Sequence, residues 1–269
     1  MLIIGEKINA SIKAVGSALL NEDEEFLSRL ALNQSEAGAN FIDVNAGVGA
    51  NVRNNAPAVM KWLIGLVQNA TDTPVCIDSD DPFVIEAALG AYRGDTVMIN
   101  SVNAEPERLD AIAPLAVRRQ AFVIALVMRE SGIPRTVHER LEAAEFIMNY
   151  LTAAGLAEDR IFFDPLVLPI SVDTTQGLVT LETIRALKAR YPRSQTIMGL
   201  SNISYGLPNR AAINRSFFLM AVSAGLDAAI MNPLDGKLMS LARVANMLTN
   251  RDPLCRSFIR AHRKGLLSD

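Results

Sequence analysis

Short runs of apolar, largely β-branched residues alternate with longer stretches of helical periodicity along the whole chain. The short runs are Leu2–Ile8, Phe41–Asn45, Pro74–Asp78, Thr96–Asn100, Phe122–Met128, Ile161–Asp164, Thr196–Leu200 and Ala228–Met231. Each is short and mostly apolar on both faces, the signature of parallel strands covered on both sides. Between them, helices are expected over Asp23–Ala37, Pro57–Asn69, Pro82–Tyr92, Pro106–Arg118, Val137–Ala154, Leu181–Tyr191, Arg210–Ala224 and Lys237–Asn250.

Local signals agree with the alternation. Phe26, Leu27, Leu30 and Ala31 recur at helical spacing behind an acidic first turn, which suits the positive end of a helix dipole. Pro57, Pro82 and Pro106 stand at helix starts, where a missing N–H costs nothing. Ala37-Gly38, Ala154-Gly155 and Ala224-Gly225 each close a helical pattern before a strand, and glycine past a helix end takes the left-handed conformation freely. A basic segment, Pro253 to Leu267, predicts a last helix on the surface, across the barrel bottom or against a partner subunit.

Eight strand–helix units without a break in composition predict a closed α/β barrel, a (β/α)8 TIM barrel, as one domain over residues 1–269. The rival doubly wound sheet would want G-x-G-x-x-G after the first strand, and the chain reads Gly5-Glu6-Lys7-Ile8-Asn9-Ala10 there. No Walker-type phosphate loop is present either.

Composition narrows the function. The 269 residues are 50% hydrophobic with a formal net charge of −3 and 6% aromatics, which argues against a nucleic-acid binder with a basic or stacking face. The start lacks a signal-peptide pattern, and the longest apolar run, Ala121–Met128, is far short of the roughly 20 residues a membrane span needs. The chain is therefore expected to be soluble and cytoplasmic. Cys76 and Cys255 are far apart and read as inert thiols. His138 and His262 have no ligand-spaced partner, so no metal site is expected.

In such a barrel the chemistry sits at the C-terminal ends of the strands. Those ends carry Glu6 and Asn9, Asp43 and Asn45, Asp78-Ser79-Asp80-Asp81, Asn100 and Asn103, Asp164, Ser201-Asn202, and Asn232. Carboxylates and amides without histidine fit two ligands. One is a hard metal held by oxygen. The other is a heterocycle whose edge both donates and accepts, such as the guanine-like 2-amino-4-oxo edge of a pterin. Several of these residues also suit turns and helix caps, Ser79 and Asp81 above all. Asp78 and Asp164 end strongly apolar strands, and a buried carboxylate needs a partner.

The stretches Met1 to Asn9, Cys76 to Ser79, Met98 to Glu105, Asp164 to Leu166, Gly199 to Ser204, Asn209-Arg210 and Ile213 to Arg215 together resemble the pterin-binding methyltransferases. That family includes methyltetrahydrofolate:corrinoid/iron–sulfur-protein methyltransferase and the folate module of cobalamin-dependent methionine synthase. The resemblance runs in order along essentially the whole chain. It implies a homodimeric, pterin-binding barrel similar to dihydropteroate synthase, with Asp78, Asn100 and Asp164 on the pterin edge. It implies Asn202 beside folate N5 as the catalytic residue, with Glu6, Met128, Gly199, Ser201 and Arg210 also binding substrate. Arg210 or Arg215 would meet the glutamate tail.

No D-x-H-x-x-G corrinoid signature is present, so the corrinoid (cobalamin) is expected on a partner corrinoid protein. The resemblance then implies methyl transfer from that protein to tetrahydrofolate, giving 5-methyltetrahydrofolate, as in the second step of O-demethylase, betaine or methylamine demethylation systems. The pattern departs from the family at Tyr205, where the corrinoid/iron–sulfur-protein enzyme has glutamine. Two alternatives stand beside it. A dihydropteroate synthase would want a lysine where strand seven closes, and this chain has Ser201-Asn202. A folate- or corrinoid-protein-binding module would lack chemistry of its own.

Overall fold

A computed structural model describes residues 1–47, 55–130 and 132–268. Eight parallel strands, β1 (Leu2–Asn9), β2 (Phe41–Asn45), β3 (Val75–Asp78), β4 (Val97–Val102), β5 (Phe122–Leu126), β6 (Ile161–Asp164), β7 (Gln195–Gly199) and β8 (Ala228–Met231), form a barrel in sequential order. It closes where β8 pairs with β1. The helices outside are α1 (Lys13–Leu20), α2 (Glu24–Glu36), α3 (Ala56–Ala70), α4 (Pro82–Ala91), α5 (Pro106–Arg119), α6 (Val137–Ala153), α7 (Gln176–Arg190), α8 (Arg210–Ala224), α9 (Gly236–Leu248) and α10 (Arg256–Arg263).

The period of two along a strand sorts the barrel residues. Ile4, Phe41, Cys76, Met98, Ile124, Phe162, Ile197 and Ala228, one from each strand, form the apolar filling of the interior. The residues between them face the helices and join the surrounding cores, as Ile42, Val75, Ile77, Ile99 and Val123 do. At the bottom, Phe122 packs edge-on against both Phe41 and Phe162, and the Arg160 guanidinium covers its ring at 4.5 Å. The bottom is therefore plugged, and open space lies at the other end.

Capping side chains begin several helices. Asp23, Asp81 and Asp235 accept from backbone N–H groups two or three residues on, and Thr136 with Glu139 forms a reciprocal capping box. Gly38, Gly155 and Gly225 lie at φ of 102°, 100° and 114°, as their places after helices require.

The differences from the sequence reading sit at element ends. The helix α1 has only eight residues and no cap hydrogen bond, so it left little periodic signal. The helix α7 starts at Gln176, not Leu181, because its first turns bury a polar residue, Gln176. The strand β4 runs on to Val102, and β5 stops at Leu126. In the basic tail, both carboxylate oxygens of Asp252 accept from the first turn of α10, from Ser257 N and Phe258 N. That helix lies against α9, alongside the barrel wall rather than across its bottom.

Candidate active site

One step along each strand above the apolar filling, the next inward positions are Glu6, Asp43, Asp78, Asn100, Leu126, Asp164, Gly199 and Ile230. The barrel's pleat thus gathers four carboxylates and an amide over a dry floor. A cavity of about 620 Å³ opens above them, within the range of small-molecule sites. Glu6, Lys7, Asp43, Asp78, Asn100, Gly199, Ser201, Asn202, Arg210, Asn214 and Asn232 are among its lining residues. A neighbouring cavity of about 730 Å³ shares Asp78 and is walled by Asn45, Met60 and the loop Ser79–Asp81.

The carboxylates are held by named partners. Asn100 donates its Nδ2 to Asp43 Oδ1 at 3.2 Å, and Asn45 donates its Nδ2 to Asp78 Oδ2 at 2.8 Å. Each amide is thereby oriented, and Asn45 Oδ1 is spent on Gly47 N at 2.8 Å. Burial raises the proton affinity of Asp43 well above the usual carboxylate range, and the neighbouring Asp78 charge raises it further. Asp78 is raised by burial and by Asp80, against the Asn45 hydrogen bond and the Arg108 charge. Glu6 is raised by burial too, while Lys7, the Ser201 hydroxyl (3.4 Å) and Arg210 pull it down.

Asp164 is buried beneath Gly199, whose backbone N–H it accepts, and is not among the cavity's lining residues. It also accepts from Leu166 N at 2.8 Å, and burial still pushes it up to about 6. Arg140 opposes that rise. Arg140 is itself fully buried, donating to Pro134 O and Gln176 Oε1.

The first strand needs a special device to present Glu6. Its register against β2 shifts between Gly5 and Ile8. There Lys7 N donates to Gln34 Oε1 at 2.9 Å instead of to a strand. Gln34 is fully buried and approaches so closely that a Cβ on Gly5 would lie 2.5 Å from its Oε1.

After β7, Leu200–Ser204 forms a short 3-10 helix. The exposed Asn202 side chain folds back over Gly199, where a Cβ would meet its Nδ2 at 3.5 Å. Among the described residues its amide makes no side-chain hydrogen bond. Arg210 ties this turn down through Ser204 Oγ (3.0 Å) and Ser201 O (2.7 Å).

The structure therefore brings Glu6, Asp78, Asn100, Gly199, Ser201, Asn202 and Arg210 into one cavity. Met128 is not among them: the inward residue of β5 is Leu126, and Met128 lies two residues beyond the strand end. Arg215 is paired with Asp235 at 2.7 Å. Ser79 and Asp81 serve the α4 start, and Asn9, Asn103 and Asn232 each accept from an N–H two residues on, closing turns. Sequence reasoning left Asp43 undecided and missed Arg140 and Gln34. Arg140 had a signal: it stands on the buried stripe with Ala143, Ala144 and Ile147. Among the described residues no cluster of three His, Cys, Asp or Glu has metal-holding geometry, and no helix is long and apolar enough to cross a membrane.

Comparison with known proteins agrees with this architecture. Residues 6–232 match the model of the pterin binding enzyme family. The chain is 33% identical over 267 residues to a methylcorrinoid:tetrahydrofolate methyltransferase of Eubacterium limosum, covering 98% of this chain and 97% of the relative. It is 34% identical over 257 residues to methionine synthase of Mycobacterium leprae, covering 91% of this chain but 21% of that larger protein. Among solved structures, dihydropteroate synthase from Xanthomonas albilineans superposes with a TM-score of 0.63 at 19% identity, over 94% of this chain and 93% of that one. The Vibrio fischeri enzyme gives the same score at 15% identity, over 94% of each chain. These two share the fold. The match to the family model over most of the barrel, with the near full-length identity to the Eubacterium limosum protein, makes this chain a member of the pterin-binding enzyme family, on its methyltransferase side.

Proposed function

We propose that this protein transfers a methyl group from a methylated corrinoid protein to N5 of tetrahydrofolate, forming 5-methyltetrahydrofolate. The observation that carries the proposal is the meeting of oriented carboxylate and amide oxygens with the uncommitted Asn202 amide in one cavity. Asn100 has given its Nδ2 to Asp43, so its Oδ1 is left to accept. Asp78 has one oxygen on Asn45, so the other is left for a ligand. Acceptors set side by side suit the 2-amino and N3–H donors of a pterin. The resemblance gives the third contact of the ring edge to Asp164, which lies below Gly199 and outside the cavity's lining. Met128, two residues past the end of β5, is proposed to lie against the ring.

Asn202 then addresses N5. The carrier's corrinoid supplies the methyl group and keeps the electron pair of the broken bond. As the new C–N bond forms, N5 loses its proton to solvent at the open barrel mouth. An amide does not exchange that proton, but it orients the N5 lone pair and steadies its changing charge through a dipole already in place. Arg210 is engaged by the β7 turn, so its role is to hold Asn202 on station, with its remaining N–H groups turned to the folate tail. The relative's name supports the same donor and acceptor. The reading further includes a cytoplasmic homodimer acting in demethylation of methyl ethers, betaines or methylamines.

Mixing the protein with methylated corrinoid carrier and tetrahydrofolate tests the proposal by cobalt absorbance. The expected result is loss of the methyl-cobalt band with formation of 5-methyltetrahydrofolate. Folate binding without any spectral change would reduce the protein to a binding module.

A further inference from the structure

We infer that Arg108 is the positioning residue of the pterin edge: it clamps the ends of β3 and β4 from behind and so sets the direction of Asp78 and Asn100. The inference rests on the pterin reading above. Arg108 projects from the first turn of α5. Its Nε donates to Ser101 O at 2.9 Å and its Nη1 to Asp80 O at 2.6 Å. Its Nη2 donates to both Ser79 O (2.8 Å) and Ser101 O (2.6 Å).

Those carbonyls belong to the two residues that follow Asp78 and the one that follows Asn100, the two ring-binding side chains of the proposed site. Asp78 and Asn100 face each other in the β3–β4 register, and Ser79 N donates to Asn100 O at 3.0 Å. On its other side β4 has already lost regular pairing, because its register against β5 shifts between Asn100 and Val102. At this point the ladder no longer holds the chain, and the guanidinium takes over. A planar fork spreads five N–H groups over three nitrogens and serves three separate carbonyls in one fixed geometry, whereas a lysine ammonium offers its three donors from a single atom on a flexible stem. The Arg108 charge also faces Asp78, Asp80, Asp81 and Glu105, which offsets the crowding of acids there.

The same helix provides a control. Arg119, at the far end of α5, donates its Nη2 to Gly94 O (2.9 Å) and Tyr92 O (3.4 Å) in the loop entering β4, at the opposite end of the barrel. It makes the same kind of contact without touching the mouth. The experiment is fluorescence titration with tetrahydrofolate, with turnover at saturating folate and thermal melting, on the unsubstituted protein, Arg108→Lys, Arg108→Ala and Arg119→Ala. Both Arg108 variants are expected to weaken folate binding on the order of tenfold or more while turnover at saturation falls much less, the pattern of lost uniform binding. Arg119→Ala is expected to lower the melting temperature and leave folate affinity unchanged. If Arg108→Lys binds like the unsubstituted protein, or if Arg119→Ala weakens binding as much as the Arg108 variants, the positioning role is overturned. Failure of the unsubstituted protein to bind tetrahydrofolate would instead overturn the pterin reading itself, and this inference with it.

Discussion

Two residues in the cavity region divide the work between holding and reacting. Asn202 is exposed, makes no side-chain hydrogen bond to the described residues and lies against Gly199, so its removal disturbs little else. Asn202→Ala is expected to lower turnover by about 10²-fold, the scale of one lost transition-state donor, with folate affinity nearly intact. Single-turnover kinetics beside a binding titration separates the two, and a normal rate with weakened binding would remove Asn202 from the chemistry. Asp164 behaves in the opposite way. In the proposed pterin site its ionised form accepts from the ring, so folate affinity should fall as pH drops through about 6, where its buried carboxyl takes a proton. Asp164→Asn should weaken binding by about 2 kcal/mol at neutral pH and abolish that pH step. Folding responds with its own sign. The folded protein binds the Asp164 proton near 6 and the unfolded chain near 3.8, so this residue's stabilising contribution is complete below 3.8 and is lost as pH rises through 6. Denaturant titrations from pH 4 to 7 should show that slope, flattened in Asp164→Asn.

The shift in β1 register is a device at the scale of the element. It turns Glu6 and Lys7 towards the cavity, and the buried Gln34 amide fills the gap in the ladder. Gly5 is what allows the amide so close. Gly5→Ala forces a methyl group onto a fully buried polar side chain and should cost about 1–3 kcal/mol, as overpacking does. Chemical denaturation measures this, and unchanged stability would show that Gln34 can move aside. The signal was poorly visible in the sequence. Gln34 stands in the last turn of α2 on the buried stripe of Leu27 and Ala31, but a polar residue there reads as the edge of that stripe, and only the packing of α2 on β1 shows what it holds. By contrast the caps at Asp81 and Thr136 were or could be read directly, because their partners are two or three residues away.

For the whole molecule, one face stands out. Between α7 and α8 an apolar groove is lined by Ile170, Leu178, Ile203, Ile213, Phe217 and Met220, with Leu178 62% and Met220 48% exposed. Exposed apolar patches of this kind often serve association, and a homodimer of the proposed function would use this face. Leu178→Glu with Met220→Glu should convert a dimer into a monomer in sedimentation velocity. A parent protein that sediments as a monomer, or a double variant that stays dimeric, would rule this face out. Ile203 links the groove to the site, since it follows Asn202 in the same short helix.

The sequence by itself determined the barrel and the chemical character of its mouth. Strand and helix periods, proline starts and glycine ends are local, and a polar residue closing an apolar strand is visible without coordinates. It also showed the family pattern, which includes Asp78, Asn100, Asp164 and Asn202. Only the tertiary structure decided which polar residues point inward and what they hold. Closing the sheet puts Asp43 against Asn100, Asn45 against Asp78 and Arg140 behind Asp164, pairs drawn from different strands and helices. It also ends β5 at Leu126, sooner than its apolar run, and so makes Leu126 the last inward residue of the strand. The physical reason is one of range. Backbone propensity is set within a few residues, whereas the fate of a buried charge depends on partners that chain closure brings from tens of residues away.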